Sequence, residues 1–362
     1  MELPSHITSL PPYTPIEPFE VLSARVGRKP EDIIKLDANE NPYGMSPRAR
    51  QALANLAYGH IYPDPESRVL RAALSRFTGV PAENLLAGAG ADELIDLIMR
   101  VVLSPGDCIL NCPPTFGMYA FDADLNNARV VNVPRKADFS VDVEGILTAF
   151  EQHRPKIIFL SSPNNPDGSL LPPPVLQKLL ALPCLIVLDE AYIEFAGVPS
   201  QISNVPMANN LIVLRTFSKL AGLAGLRVGY GAFPTWLMPT LWKAKQPYNV
   251  NVAASAAAIA SLEDPEYLDW TVRTLVTERE RLFQSLARIP WLSPYPSSAN
   301  FILCRVSPPV NAAELKADLA QKHGIFIRYF NKPGLTDCIR ISVGKPEQTD
   351  KLLGALRDLA IW

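Results

Sequence analysis

The chain has 362 residues, of which 48% are hydrophobic, and a formal net charge of -2 at pH 7. This length suits two packed domains, or one large α/β domain with an appendage, and the near-neutral charge favours neither nucleic acid nor a membrane surface as a partner. No apolar stretch approaches the ~20 residues that span a bilayer, and the first residues lack the character of a targeting segment, so we expect a cytoplasmic protein.

Short apolar runs alternate with helical stretches between residues 80 and 235, which is typical of an α/β sheet. Most of these runs are continuously apolar, as expected for strands that are covered on both faces. We predict an α/β fold in which a large domain carries a mostly parallel, seven-stranded sheet. The predicted strands lie at 85–87, 108–110, 130–133, 157–160, 185–188, 211–214 and 227–230, with helices such as 92–103 and 175–182 between them.

The pattern changes after about residue 260, where apolar residues recur at helical spacing from 268 to 286. A strand pair at 300–306 and 338–343 follows, with helices near 311–323 and 346–360; Asn311 is the predicted cap and Gly324 the predicted stop of the first of these helices. This region predicts a small α+β domain. We expect an N-terminal arm at 1–50 that contributes to the small domain and the active site, a large domain at 51–258 and a small domain at 259–362.

The five cysteines are scattered through apolar runs, and the four histidines cluster neither with each other nor with the cysteines. Free thiols in the core are therefore expected, and neither disulfides nor a metal site is predicted.

Lys219 is the first candidate for chemistry, because it follows the predicted strand 211–214, comes directly after Ser218, and precedes Arg227 by eight residues. A lysine amine in buried surroundings loses its proton more readily and can attack an aldehyde to form a Schiff base. A solvated lysine at the point where a strand leaves the core is the alternative.

A glycine-rich turn at 88–91 follows the first predicted strand and opens a helix. Backbone N–H groups and the helix dipole at such a turn favour a phosphate. Glu93 stands where a dinucleotide-binding turn has its third glycine, so we predict a phosphate site of another kind. A glycine turn without a ligand is equally compatible with this motif alone.

Polar residues follow two other predicted strands. Asp189 ends an apolar run, so its carboxylate is expected to be buried and to need a cation, which a pyridinium nitrogen or a distant arginine would supply. Tyr192 could reach a ring hydroxyl from the same turn. Asn165 lies in a Pro- and Asn-rich turn and could donate to the same oxygen, although a plain turn accounts for this composition as well.

Three arginines are candidates for anion binding. Arg227 could hold a phosphate with its forked guanidinium. Arg328 and Arg340 lie within apolar, strand-like runs, where an arginine is either a residue on a surface-facing edge or part of an anion clamp.

Taken together, these residues resemble the pyridoxal-phosphate (PLP) enzymes of fold type I, which share the aspartate-aminotransferase fold, and within them most resemble the histidinol-phosphate aminotransferases. The resemblance covers nearly the whole chain and is carried by seven segments: LDANENP at 36–42, YP at 62–63, GAD at 90–92, PPTFGMY at 113–119, NNP at 164–166, DEAY at 189–192, and TFSK at 216–219 followed by GLRVG at 225–229. The order and spacing are specific for the fold and less so for the substrate.

The resemblance implies a role for each of these positions. Lys219 would form the Schiff base with PLP and shuttle a proton, Asp189 would keep the pyridine nitrogen protonated, and Tyr192 would act with it. The implied cofactor-binding set also contains Tyr62 of the other subunit of a homodimer, Ala91, Asp92, Phe116, Asn165, Ser218 and Arg227. The implied substrate-binding residues are Asn41, Arg328 and Arg340.

The implied activity is ping-pong transfer of an amino group between glutamate and histidinol phosphate, together with their keto counterparts, in histidine biosynthesis. An aromatic aminotransferase or a threonine-phosphate decarboxylase would share every cofactor residue. A ligand-sensing transcription regulator is a further alternative, which the Pro-rich first 50 residues, without a basic recognition helix, do not favour. Asp167, Phe116 and Phe19 depart from the usual threonine and tyrosines of the family and leave fine substrate preference open.

Overall fold

The computed structural model describes residues 3–10 and 17–359. Residues 1–2, 11–16 and 360–362, which belong to the predicted arm and the predicted small domain, lie outside the described residues. The strands are β1 (Ile34–Leu36), β2 (Leu85–Gly88), β3 (Cys108–Asn111), β4 (Arg129–Asn132), β5 (Ile157–Ser161), β6 (Leu185–Asp189), β7 (Leu211–Thr216), β8 (Gly229–Ala232), β9 (Leu292–Pro294), β10 (Phe301–Val306), β11 (Ile325–Tyr329) and β12 (Cys338–Ser342).

The helices of the described residues alternate with these strands in the first two thirds of the chain. They are α1 (Ser5–Thr8), α2 (Phe19–Val26), α3 (Pro47–Ala54), α4 (Arg68–Thr78), α5 (Ala91–Val102), α6 (Met118–Leu125), α7 (Val143–His153), α8 (Pro173–Leu180), α9 (Met238–Ala244), α10 (Val252–Leu262), α11 (Pro265–Leu286), α12 (Ala312–His323) and α13 (Pro346–Asp358). None of them is long and apolar enough to cross a membrane.

The larger sheet has seven strands in the order β2-β8-β7-β6-β5-β3-β4. Its neighbours from β7 to β4 pair in parallel, whereas β8 runs antiparallel to both β2 and β7. The predicted α/β class with a mostly parallel seven-stranded sheet is therefore confirmed. The last strand is shifted from the predicted 227–230, because Arg227 has a left-handed backbone (φ +54°) and ends a 3-10 turn before the strand begins.

Both faces of this sheet are covered, as the continuous apolar runs predict. Along β5, Ile158 and Leu160 pack into one core cluster, whereas Ile157 and Phe159 pack into the cluster on the opposite face. The alternation of side chains along a strand thus divides one apolar run between two buried layers.

The smaller sheet has five strands in the order β1-β11-β12-β10-β9 and a core of its own. The strand β1, from the N-terminal segment, pairs in parallel with β11. The helix α12 next to this sheet begins at Asn311, whose side chain accepts from the N–H groups of Ala313 and Glu314, and ends at Gly324 in a left-handed conformation. Both predicted signals at the ends of this helix are confirmed, whereas the domain boundaries themselves stay predictions.

All five cysteines are buried and free. Within the described ranges, no group of three or more histidine, cysteine, aspartate or glutamate side chains could hold a metal ion.

Candidate active site

A cavity of about 620 Å³ opens where the carboxyl ends of β5, β6 and β7 meet. Ligands bind at such edges of open α/β sheets. Nine of the ten predicted cofactor-binding residues line it: Ala91, Asp92, Phe116, Asn165, Asp189, Tyr192, Ser218, Lys219 and Arg227. The parallel strands thus bring together residues that are far apart in the sequence.

Lys219 follows the end of β7 and is half-buried in the cavity wall. Its Nζ donates a hydrogen bond to the backbone oxygen of Ala38 at 3.0 Å and lies 5.7 Å from the centre of the Tyr192 ring. Among the described residues, the amine has one hydrogen-bond acceptor, a backbone oxygen, and no ion-pair partner, so it can leave this position without breaking an ion pair.

Asp189 is the last residue of β6 and is buried. The hydroxyl of Tyr119 donates to its Oδ2 at 2.7 Å, and the Ala191 N–H donates to its Oδ1 at 3.0 Å. Burial raises the pKa of this carboxyl to about 6, while these two donors and the nearby Lys219 cation act in the opposite direction. No basic side chain of the described residues forms an ion pair with it, so a buried anion faces the cavity and fits a cationic ring N–H.

Asn165 and Arg340 lie in contact across the two sheets. Arg340, in β12, donates through Nη1 to Asn165 Oδ1 at 2.5 Å and through Nη2 to the Asp37 backbone oxygen at 2.7 Å. Because a guanidinium only donates, its partner must be the amide oxygen of Asn165, which leaves the amide nitrogen to donate elsewhere. The geometry agrees with an asparagine that offers an N–H to a ring oxygen.

Arg328, in β11, lies directly opposite Arg340 in the antiparallel register, so the two side chains are on the same face of the smaller sheet. Arg328 is half-buried, and it does not line the cavity. Two cations placed side by side repel each other unless an anion lies between them. This pairing favours an anion clamp over the alternative of two unrelated edge residues.

The predicted phosphate site lies at the start of α5, whose first-turn N–H groups have no helical acceptor. Gly90 has φ +90°, and a Cβ there would lie 2.5 Å from Arg227 Nη2, so only glycine allows this approach. Arg227 is held by Asp92 at 2.8 Å, and the Ser218 hydroxyl accepts from Thr216. Forked donors, a hydroxyl and free N–H groups are the ligands that a phosphate prefers.

Glu93 explains why the turn lacks a third glycine. Its carboxylate accepts from the Ala89 N–H at 2.6 Å and from Asn249 Nδ2 at 2.7 Å. The side chain therefore fixes the turn by hydrogen bonds, so no close glycine packing is needed at this position.

Four predicted site residues do not line the cavity, namely Arg328 and Arg340 of the smaller sheet together with Tyr62 and Asn41. Tyr62 is 79% exposed and stacks on Tyr248 with ring centres 4.7 Å apart. Asn41 is buried, and its side chain donates to the Leu220 oxygen and accepts from the Tyr43 N–H. Its contacts hold the backbone directly after Lys219, and its predicted contact with substrate stays a prediction.

The departures from the family pattern are also placed. Phe116 and Phe19 line the cavity, whereas Asp167 is buried and accepts from the Asn164 amide and from the Ser169 N–H. Asp167 therefore stabilises the turn that carries Asn165 and does not line the cavity.

Sequence reasoning missed two residues of the site. Tyr119 contacts Asp189 from α6, and Asn39 contacts the hydroxyl of Tyr192 from the N-terminal segment. Both lie within segments that carry the family resemblance, which was the only available signal for them.

The chain matches the family of class I and class II aminotransferases over residues 31–356. A lysine amine, a buried carboxylate and a phosphate site around one cavity agree with this class of protein.

Among curated relatives, the chain is 58% identical over 352 residues to the chloroplastic histidinol-phosphate aminotransferase of Nicotiana plumbaginifolia, covering 97% of this chain and 85% of that protein. It is 55% identical to the histidinol-phosphate aminotransferase of Roseiflexus castenholzii, covering 98% and 97% of the two chains. The crystal structure of the Sinorhizobium meliloti histidinol-phosphate aminotransferase in complex with pyridoxal-5'-phosphate superposes with a TM-score of 0.90 at 32% identity, covering 99% and 98%. The chain belongs to the histidinol-phosphate aminotransferase family.

Proposed function

We propose that this chain binds PLP in the cavity and transfers an amino group between glutamate and the keto counterpart of histidinol phosphate, imidazole-acetol phosphate, by a ping-pong mechanism in histidine biosynthesis. The observation that carries the proposal is the buried Asp189 carboxylate, which has no cationic partner in the described part of the chain and lines the same cavity as Lys219. The named relatives support this substrate over the aromatic and decarboxylating alternatives.

Bound PLP supplies an aldehyde carbon that accepts the amino group and a protonated ring that withdraws electrons from the reacting carbon. Asp189 stabilises the positive ring nitrogen, and Tyr119 and the Ala191 N–H keep the carboxylate oriented. Lys219 Nζ would be the base that takes a proton from the substrate α-carbon and returns it to the carbon that carried the cofactor aldehyde. Asp189 is buried and bound PLP would fill the cavity beside half-buried Lys219, so water would have little access to the proton that moves between protein and substrate.

The remaining residues bind and orient. Arg227, Ser218 and the first turn of α5 hold the phosphate of the cofactor. Asn165 and Tyr192 donate to the ring oxygen, and Phe116 covers one side of the cavity. Arg340 and Arg328 would bind the anionic groups of the two substrates, because they present adjacent cations on one face of the smaller sheet and Arg340 contacts Asn165 of the cavity lining.

The cofactor is tested with a spectrum of the purified protein after PLP is added. We expect a visible absorbance band and transamination, both of which Lys219→Ala removes, whereas Lys178→Ala, a lysine outside the cavity lining, retains both. A wild-type protein that stays colourless with added PLP contradicts the proposal.

The substrate is tested with glutamate as the donor and a panel of acceptors. The expected result is a kcat/KM for imidazole-acetol phosphate at least about tenfold above that for phenylpyruvate, since an anion clamp of two arginines loses at least about 1.4 kcal/mol when its phosphate is missing. Preference for phenylpyruvate would identify the aromatic enzyme, and release of carbon dioxide from threonine phosphate would identify the decarboxylase.

The proposal includes a homodimer in which Tyr62 of one subunit completes the phosphate site of the other. Its support is a group of exposed apolar residues around Tyr62, which are Tyr58 (69% exposed), Ile61 (54%) and Tyr248 (45%). Light scattering gives the mass of the particle. Mixing inactive Lys219→Ala with weakly active Tyr62→Ala subunits tests the sharing of residues, because hybrids that contain one intact site recover activity, whereas unshared sites gain nothing.

The cytoplasmic location is likewise proposed. It rests on the balanced charge and on a chemistry that needs only dissolved metabolites. Fractionation of the source cells followed by an activity assay tests it, and recovery of the activity in a membrane or organelle fraction would contradict it.

A further inference from the structure

Asn39 lies between the smaller sheet and the tyrosine of the cofactor site. It is 1% exposed and has a left-handed backbone, with φ +55°. Its Nδ2 donates to the Tyr192 hydroxyl at 3.1 Å. On its other side it contacts Ser342 of β12, whose hydroxyl donates to Asn39 Oδ1 at 2.9 Å and accepts from the Asn39 N–H at 2.8 Å. The proposed mechanism gives Asn39 no role so far.

Ser342 holds the end of the Asn39 amide that points away from Tyr192. Its hydroxyl accepts the backbone N–H of Asn39 and donates its proton to the amide oxygen. The NH₂ end of the amide faces the tyrosine and donates to its oxygen. The Asn39 backbone is held as well, since Asn300 Nδ2 donates to its carbonyl oxygen at 3.0 Å.

The direction of this hydrogen bond decides where the Tyr192 proton points. The phenol oxygen accepts from Asn39, so its single proton is available for a different acceptor. The ring is fixed by an edge contact with Phe301, at 5.1 Å between ring centres. Because Tyr192 lines the cavity, the ring oxygen of a bound cofactor would be its acceptor, and the Asn165 amide nitrogen, whose oxygen is occupied by Arg340, could donate to the same atom.

We propose that Asn39 is a positioning residue that, held by Ser342, turns the Tyr192 proton into the cavity toward the cofactor's ring oxygen. The proposal rests on the proposed function. A hydrogen bond donated to a phenolic oxygen stabilises its ionised form. Asn39 thereby lowers the pH at which the bound cofactor loses its proton, although it does not contact the cofactor.

The test is a double-mutant cycle on the protein loaded with PLP, read as the pH midpoint of its visible absorbance. Asn39→Gly removes the amide and retains a residue that tolerates positive φ, whereas Asn39→Asp keeps the shape and replaces the donor with an acceptor. With Tyr192 present, each change is expected to raise the midpoint by about half to one pH unit, the equivalent of one lost hydrogen bond. In the Tyr192→Phe background, Asn39→Gly leaves the midpoint unmoved, and Asn39→Asp raises it only by the smaller effect of its added negative charge.

An equal rise in both backgrounds, or no rise in either, overturns the proposal. Asn127→Gly is the matched control, because Asn127 also has a positive φ of 54° and is exposed outside the cavity lining. If the Asn39 variants do not fold by near-UV circular dichroism, Ser342→Ala takes their place, with a rise expected only when Tyr192 is present. A colourless wild-type protein refutes the proposed function, whereas a coloured, active enzyme with equal rises refutes only the role of Asn39.

Discussion

Because the carboxylate of Asp189 is buried, Asp189→Asn should have opposite effects on the stability of the PLP-free and the PLP-bound protein. Asp189→Asn can keep a hydrogen bond to each neighbour, because the amide oxygen can accept from the Ala191 N–H and the amide nitrogen can donate to the Tyr119 oxygen once the Tyr119 proton turns toward the neighbouring Ser161 hydroxyl. The change therefore removes the charge and leaves the packing intact. We expect the variant to be more stable than the wild type without PLP and to bind PLP more weakly.

The magnitude follows from the pKa of Asp189. A rise from 3.8 to about 6 on folding corresponds to about 3 kcal/mol. Because the pKa of Asp189 is higher in the folded state, its protonation stabilises the folded protein fully below pH 3.8. This stabilisation is lost as the pH rises through 6. Between pH 5 and pH 8 the wild type should lose on the order of 1 kcal/mol relative to Asp189→Asn, since water in the open cavity offsets part of the burial.

The assay is urea unfolding of both PLP-free proteins at pH 5 and pH 8. The difference in unfolding free energy between variant and wild type should be larger at pH 8. With saturating PLP its sign should reverse, because the ring cation stabilises only the carboxylate. A difference that is the same at both pH values, or that shrinks toward pH 8, refutes the reasoning.

Three further predictions concern the walls of the site. Arg227→Lys replaces a fork with a single point charge and should weaken PLP binding about tenfold by fluorescence titration. Gly222→Ala places a Cβ 2.4 Å from the backbone of Gly44 at a φ of +67°, so it should lower both the unfolding midpoint and the PLP content of the protein. The control Gly79→Ala has a φ of +72° but open space around it, so it should cost only about 1 kcal/mol of stability. Asp167 accepts from the Asn164 amide and from the Ser169 N–H, and in Asp167→Asn the new amide nitrogen must face one of these two donors. The lost hydrogen bond should lower the unfolding free energy, measured by urea unfolding, by about 1–3 kcal/mol.

Local patterns in the sequence were sufficient for the larger sheet and for the convergence of its residues. Each apolar run such as β6 ends in a polar residue, and parallel strands present those ends at one edge, so the proximity of Lys219 and Asp189 follows from topology. The ends of α12 were predicted because capping is a contact between residues two or three apart. Such interactions leave a signature within a short window of sequence.

Other features depend on contacts that no short window contains. The strands β1 and β9 have three residues each, too few for any periodicity, and they exist because the neighbours β11 and β10 supply their hydrogen bonds. The contact of Asn39 with Tyr192 spans 153 residues and its contact with Ser342 spans 303. These side chains meet because Asn39 itself, after β1, has a left-handed backbone that turns its amide between the two sheets. Asparagine tolerates this backbone conformation, but its presence in a sequence does not predict it.

The segment that follows β1 also couples the two sheets at the reacting groups. Three consecutive residues make the contacts: the Asp37 oxygen accepts from Arg340, the Ala38 oxygen accepts from Lys219, and the Asn39 amide donates to the Tyr192 hydroxyl. Because β1 belongs to the smaller sheet and both Lys219 and Tyr192 follow strands of the larger one, a shift between the sheets changes the contacts of Ala38 and Asn39 together, whereas the contact of Asp37 with Arg340 in β12 lies within the smaller sheet. The arginine that holds an anionic substrate, the amine that moves the proton and the hydroxyl that faces the ring oxygen are therefore positioned by one short segment.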